Sequence, residues 1–198
     1  MKYILVLAVS YLLGSVPFGL LVGKWWAKVD VRQHGSGNIG MTNVLRTAGY
    51  FCALLTLIGD VGKGVVAVVL ARSLTGDSFL GLFAGTFAVI GHNWPIFLRF
   101  KGGKGVATVL GVLLAYKPLA AGVLFVIWLG FLIAYRYISL ASIVAAFSLP
   151  VVLYFFKVDW LEWSLAVIVA TFTILRHRSN IDRLRQGTEF RFGQKVNR

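Results

Sequence analysis

Acidic residues and cysteines are scarce in this chain. Its 198 residues include 7 Asp and Glu against 20 Lys and Arg, and a single cysteine, Cys52. One cysteine cannot form an intramolecular disulfide, and inside an apolar run we expect it to act as a small hydrophobic side chain. No pair of carboxylates is arranged for acid–base catalysis.

The signatures of several common enzyme classes are also missing. The chain has no GxxxxGK[ST] phosphate loop, no HExxH zinc motif, no GxSxG nucleophile elbow and no His/Cys metal cluster. Metal-dependent hydrolysis and hydrolysis by a serine–histidine–aspartate triad therefore have no support. We expect no metal and no cofactor.

Charge is absent from long stretches of the sequence. Tyr3 to Gly23 and Phe79 to Leu98 contain no charged residue, and the chain is 58% hydrophobic with a mean hydropathy of +0.80. Because about 20 apolar residues cross a bilayer core of about 30 Å, these runs predict membrane spans. A signal peptide is the alternative for Tyr3–Gly23, but the run is long and Lys2 is a weak charged flank, so we interpret it as a span.

The hydropathy pattern predicts an all-α integral membrane protein of one domain, residues 1–198, with seven transmembrane helices. The predicted spans are about 3–23, 50–71, 79–98, 105–116, 119–135, 138–156 and 160–175. An outside N-terminus places fifteen Lys and Arg inside and only Lys2, Arg72, Lys117 and Lys157 outside, which favours a cytoplasmic C-terminus. Cytoplasmic cations facing anionic lipid explain the net charge of +13 better than nucleic acid does.

Two features depart from plain membrane helices. The run at 105–116 is too short to cross the core, so this span is short or partly re-entrant. Asp60 and Lys63 lie three residues apart inside the second span, where they can neutralise one another. Such a pair is either functional or a structural ion pair. Pro17 and Pro150 are expected to kink their spans, and small residues to let helices approach closely.

Three polar segments, 32–49, 91–108 and the tail 176–198, all fall on the predicted cytoplasmic side. In the first, Gly35, Gly37 and Gly40 alternate with short polar side chains, a pattern typical of an anion-binding nest. Thr42 is predicted to cap a helix that begins near Asn43, with Arg46 on its first turn. A flexible linker is the alternative.

The second segment combines cations with glycines. Arg99, Lys101 and Lys104 surround Gly102, Gly103 and Gly105, and such a loop can hold a phosphate through backbone N–H groups and lysine charge. A solvated basic loop is the alternative. His92 is interpreted either as a packing residue or as a substrate contact.

The tail from Arg176 to Phe190 contains many arginines, among which His177, Asn180 and Glu189 are the other polar candidates. A basic tail that lies on anionic lipid is the alternative.

Taken together, GSGNIGMTNVLRTAG at 35–49, GHNWPIFLRFKGGKGVAT at 91–108 and RHRSNIDRLRQGTE at 176–189 closely resemble the bacterial acyl-phosphate-dependent glycerol-3-phosphate acyltransferases. The resemblance covers almost the whole chain. It implies transfer of a fatty acyl group from acyl phosphate to the sn-1 hydroxyl of glycerol 3-phosphate, giving lysophosphatidic acid and inorganic phosphate in the bacterial cytoplasmic membrane. The implied partners are these substrates and membrane lipid, with no nucleic acid; the oligomeric state stays open.

The resemblance also implies a set of site residues. Ser36, Arg46, Lys104, His177 and Asn180 would line the site, and the supporting residues would be Gly37, Asn38, Thr42, Asn43, His92, Lys101, Gly102, Gly103, Gly105 and Glu189. Acyltransferases with an HxxxxD motif work differently. The stretch from His177 to Asp182 matches that spacing, and we interpret the match as coincidence.

The chemistry leaves the general base open. His177 is the ordinary candidate, while the leaving phosphate could itself take the proton, which we favour. A covalent acyl-Ser36 intermediate is a third route. Outside this enzyme class, a transporter of an organic phosphate would fit charges within the spans, although every cationic motif lies on one side.

Overall fold

The computed structural model describes residues 1–194, and all regular structure in this range is helical, as predicted. Lys195 and Arg198 of the predicted tail lie outside the described residues. The helices are α1 Lys2–Ser15, α2 Phe18–Trp26, α3 Met41–Ala48, α4 Tyr50–Thr75, α5 Ser78–Asn93, a 3-10 helix Ile96–Leu98, α6 Val106–Tyr116, α7 Pro118–Tyr135, α8 Ile138–Phe155, α9 Trp160–Arg176 and α10 Arg178–Arg185.

Five segments within residues 1–194 are long and apolar enough to cross a membrane: Lys2–Trp26, Tyr50–Thr75, Ser78–Leu98, Pro118–Tyr135 and Ile138–Phe155. The other two predicted spans correspond to shorter helices, α6 with 11 residues and α9 with 17. At 1.5 Å per residue, α6 is only about 16 Å long. An integral membrane protein is thus supported, and the count of seven spans stays a prediction.

The first predicted span is broken in the middle. Helix α1 ends at Ser15, Val16 is extended, and α2 begins after Pro17. Proline has no N–H to continue the helical ladder and disfavours the α conformation in the residue before it. The predicted distortion at Pro17 is therefore confirmed as a break between two helices, whereas Pro150 lies inside α8.

The described residues form two compact units, 1–116 and 117–194. In the first unit, α5 packs against α1, α4 and α6, and α4 also packs against α2, α3 and α6. Glycines make this possible: a Cβ on Gly14 would overlap the backbone of Ala88, and one on Gly91 would overlap the carbonyl of Tyr11. In the second unit, α8 lies against α7 and α9, and α10 packs on α8 and α9. The single-domain organisation stays a prediction.

Two glycines of α4 provide a matched test of this packing. A Cβ on Gly64 would overlap the carbonyl of Thr108 on α6, whereas a Cβ on Gly62 would meet no atom within 4 Å. We expect Gly64→Ala to lower the thermal unfolding temperature in detergent because α6 must move away. Gly62→Ala should leave the unfolding temperature unchanged or raise it, because alanine stabilises a helix interior by up to about 1 kcal/mol relative to glycine. Equal effects of the two substitutions would contradict close packing of α4 on α6.

Candidate functional site

The segment between α2 and α3, residues 27–40, here called loop 1, is organised by one buried amide. The side chain of Asn43 is 1% exposed. Its Nδ2 lies within hydrogen-bond distance of the carbonyls of Val31 (2.8 Å), Asn38 (2.9 Å) and His34 (3.1 Å), and its Oδ1 accepts from the backbone N–H of Ser36 (2.9 Å). An amide has two N–H groups, so one of them is shared between carbonyls. Asn43 thus holds loop 1 from within.

Glycines allow the backbone of loop 1 to adopt its conformation. Gly35 and Gly37 have φ of 61° and 69°, in the left-handed region that glycine adopts most easily. A Cβ on Gly35 would also overlap Oδ1 of Asn43. On the opposite side, Gly19 of α2 lets the backbone of Ile39 come into contact. The predicted glycine nest is therefore a folded, internally bonded loop.

An apolar cluster lies beneath loop 1 and extends to the second cationic segment. Its buried members are Leu20, Val31, Ile39, Val44, Cys52 and Ala53, which confirms Cys52 as a small hydrophobic residue. Leu98, from the 3-10 helix of the second segment, packs against the same cluster. This shared contact brings the first two sequence motifs together within the first unit.

The predicted start of α3 is wrong. The helix begins at Met41 with Gly40 as its N-cap, no side chain caps it, and Arg46 lies in its last turn rather than its first. The turn that leads into the helix is made by Asn38, whose Oδ1 accepts from the N–H of Gly40 (2.8 Å). Thr42 is therefore an ordinary half-buried helical residue, while Ser36 and Arg46 are both half-buried.

The one acid of loop 1 is neutralised locally. Both carboxylate oxygens of Asp30 accept from the guanidinium of Arg32, at 2.9 and 2.6 Å, and Lys24 Nζ lies 3.4 Å away. The hydrogen bond from Arg32 holds the pKa of Asp30 well below its ordinary value. Asp30 therefore stays ionised and paired with these cations throughout the neutral range, which keeps the start of loop 1 in place.

Residues 94–105, here called loop 2, join α5 to α6 and carry the second motif. Arg99 and Phe100 adopt left-handed φ of 50° and 62°, and Gly105 has φ of 82°. The N–H of Gly103 donates to the carbonyl of His92 at 3.0 Å. A Cβ on Gly102 would overlap that same carbonyl, so only glycine fits this position.

The cations of loop 2 differ in exposure. Lys101 is exposed, whereas Lys104 is half-buried between the buried residues Gly103 and Gly105. Of these two lysines, Lys104 is therefore the one that the folded loop holds more firmly in place. Tyr11 of α1 adds a further anchor, because its hydroxyl donates to the carbonyl of Trp94 at 2.9 Å.

His92 is buried and points into the protein rather than into solvent. Its Nδ1 lies 3.4 Å from Oδ1 of Asp60, and that same oxygen lies 2.8 Å from Nζ of Lys63. The predicted neutralising pair between Asp60 and Lys63 is confirmed. The contact between Asp60 and His92, on different helices, has no signal in the sequence.

In the second unit, the turn between α9 and α10 places His177. This side chain is 2% exposed, and its Nδ1 lies 2.7 Å from the carbonyl of Thr173. A carbonyl can only accept, so Nδ1 carries the proton, and Nε2 is the acceptor when the ring is neutral.

Glu189 holds the C-terminal segment against α8 and α10. Its carboxylate accepts from Asn180 Nδ2 (2.9 Å), Ser139 Oγ (3.0 Å) and Arg183 Nε (2.7 Å). A buried carboxylate with three donors is satisfied within the protein. Glu189 therefore orients Asn180, while its predicted part in binding the substrate stays a prediction.

Comparisons with known proteins identify the same family that the three sequence segments resemble. The sequence model described as glycerol-3-phosphate acyltransferase matches residues 4–187. A relative of that name from Desulforudis audaxviator is 47% identical over 96% of this chain and 95% of its own length, and one from Carboxydothermus hydrogenoformans is 45% identical over 98% of each. The crystal structure of an integral membrane glycerol 3-phosphate acyltransferase in its glycerol 3-phosphate form superimposes with a TM-score of 0.92 at 41% identity, covering 98% of this chain and 96% of that one.

Substitution of Asn43 tests its part in loop 1. Asn43→Ala leaves buried carbonyls without a donor, which costs about 1–3 kcal/mol for a buried polar group. We expect a clear loss of thermal stability, measured by intrinsic fluorescence in detergent. The matched control is Thr47→Val on the same helix, which removes only the hydroxyl bond to the carbonyl of Asn43. An unfolding temperature lowered no more by Asn43→Ala than by the control would contradict this role.

Proposed function

Because the chain belongs to the glycerol-3-phosphate acyltransferase family, we propose that it transfers a fatty acyl group from an acyl phosphate to the sn-1 hydroxyl of glycerol 3-phosphate. The hydroxyl oxygen attacks the acyl carbonyl carbon, and the bond from that carbon to the phosphate oxygen breaks. The products are 1-acyl-glycerol 3-phosphate and inorganic phosphate. The observation that carries the proposal is the full-length likeness to the solved glycerol 3-phosphate form.

Both substrates are negatively charged, so the protein must supply positive charge. Both carry phosphate, so they repel one another unless cations lie close to each. We assign this task to Arg46 and Lys104, whose half-buried positions strengthen their interaction with an anion. The glycine backbone of loop 2, Gly102 to Gly105, admits a phosphate closely because no Cβ intervenes. The alternative donors to the developing oxyanion are Ser36, Asn180 or N–H groups of the loop.

Two groups can accept the proton of the attacking hydroxyl. His177 presents Nε2 as an acceptor, because Nδ1 donates to the carbonyl of Thr173. The leaving phosphate is a second acceptor, because the oxygen released from the acyl carbon gains negative charge and becomes basic as that bond breaks. We favour the phosphate, because the transfer then needs no strong base on the protein and the proton leaves with the product.

We further propose seven spans, with the N-terminus outside and the motif loops on the cytoplasmic side of the bacterial membrane. The cations of loop 1 and loop 2 support this arrangement under the positive-inside rule. Exposed Trp25, Trp26, Tyr50 and Phe51 support a position of these helix ends at a membrane surface, because aromatic side chains concentrate at both surfaces.

Accessibility of single cysteines tests this topology. In a Cys52→Ala background, we expect Asp182→Cys to react with a membrane-impermeant maleimide only from the cytoplasmic side, and Gly76→Cys only from the outside. Intact cells and inverted vesicles provide the two directions of labelling. Labelling of both positions from one side would contradict the proposed orientation.

The activity is tested with purified protein, palmitoyl phosphate and glycerol 3-phosphate. We expect inorganic phosphate and lysophosphatidic acid to form in equal amounts, and Arg46→Ala and Lys104→Ala to abolish both. Arg72→Ala is the control, because it removes the same charge at the end of α4, on the predicted outer side. Phosphate release that does not depend on glycerol 3-phosphate would indicate a hydrolase instead.

The same assay separates the two proton acceptors. If the phosphate takes the proton, His177→Gln retains measurable turnover, with kcat lowered less than about 10²-fold. A general base contributes about 10²–10⁴-fold, so a larger loss in a folded variant would assign that role to His177.

A further inference from the structure

Three ionisable side chains are buried together inside the first unit, and the proposed transfer step assigns no role to them. Asp60, Lys63 and His92 are 2%, 5% and 4% exposed. Oδ1 of Asp60 lies 2.8 Å from Lys63 Nζ and 3.4 Å from His92 Nδ1. A buried ion pair is weak evidence of a stabilising role, because apolar residues of similar size often serve stability as well. The cluster therefore calls for a reason other than stability.

One end of the cluster belongs to the fold. Lys63 Nζ donates to the carbonyl of Val16 at 3.2 Å, at the break between α1 and α2, and lies 5.9 Å from the ring centre of Phe18. Lys63 thus shares the Val16 carbonyl with the N–H of Phe18, the first residue of α2, and neutralises Asp60.

The other end reaches loop 2. A Cβ on Gly103 would overlap Nε2 of His92, so the imidazole ring lies directly against the Gly103 backbone. The carbonyl of His92 accepts from the N–H of Gly103 at 3.0 Å. The ring and the carbonyl of one residue therefore hold Gly103 from two directions, and the next residue along the chain is Lys104.

We propose that Asp60 is a positioning residue for loop 2, the loop to which we assign phosphate binding. It faces Nδ1 of His92 and sets the orientation of the ring; the ring supports Gly103, and the backbone at Gly103 directs Lys104 toward the phosphate. Lys63 balances the charge of Asp60 so that the carboxylate can remain buried. This inference rests on the proposed function, since it concerns binding of a phosphate-bearing substrate.

A matched pair of double variants isolates the contact with His92. Asp60→Asn/Lys63→Met and Asp60→Leu/Lys63→Met both remove the buried charges, and they differ in whether residue 60 can accept a hydrogen bond. We expect the Asn form to keep a KM close to that of the wild type. The Leu form should raise KM for one of the two phosphate-bearing substrates about tenfold, because no polar group then faces Nδ1 of His92, with kcat changed much less.

The route through His92 is tested by repeating the pair in a His92→Ala background. With no ring to orient, the Asn and Leu forms should have the same KM. A KM difference that persists there, or two equal KM values in the presence of His92, would overturn the proposal. A purely structural role would instead lower the unfolding temperature of both forms and leave KM alike.

Should the Leu form fail to fold, the other end of the contact provides the test. His92→Gln can still place an N–H toward Asp60, whereas His92→Leu cannot, and only the Leu variant should raise KM. Equal KM values for these two variants would overturn the proposal. Wild-type turnover is measured first: its absence would contradict the proposed function, whereas equal kinetics among active variants would contradict only the role of Asp60.

Discussion

Buried polar groups of non-helical backbone need partners within the protein, and the arrangement of the motif segments depends on this constraint. The amide of Asn43 satisfies three carbonyls of loop 1 and accepts from the N–H of Ser36. In loop 2, the carbonyl of His92 accepts from Gly103. In the C-terminal segment, Glu189 accepts from three side chains. In each case a buried polar group holds the segment that carries a candidate catalytic residue.

The few acids of the chain are used mainly to hold the fold. Asp77 and Asp159 cap α5 and α9. Asp30, Asp60, Glu162 and Glu189 form ion pairs with Arg32, Lys63, Lys117 and Arg183. The remaining acid, Asp182, is exposed on α10. Six of the seven acids are therefore committed to helix caps and ion pairs within the fold.

The residue types in the motifs predicted the chemistry better than the local geometry. The resemblance of the three segments to one family is confirmed by the comparisons, whereas phosphate binding by the glycines and cations stays a prediction. The predicted cap at Thr42 was wrong, because the α3 boundary is set by Gly40 and by the Asn38 turn. Asn43 was predicted as a supporting site residue, and its bonds within loop 1 give it the part of a scaffold. Nothing in the local pattern distinguishes these two roles.

The sequence by itself determined the membrane setting, the helical class and the family. Hydropathy and residue type are properties of short stretches, so they can be read without knowing what packs where. Only the tertiary structure decided which buried groups meet. Lys63 reaches a carbonyl 47 residues earlier in the chain, and Asp60 meets His92 across two helices. Such contacts form when glycines let helices approach, and the distance between two side chains then depends on helix packing rather than on their separation in sequence.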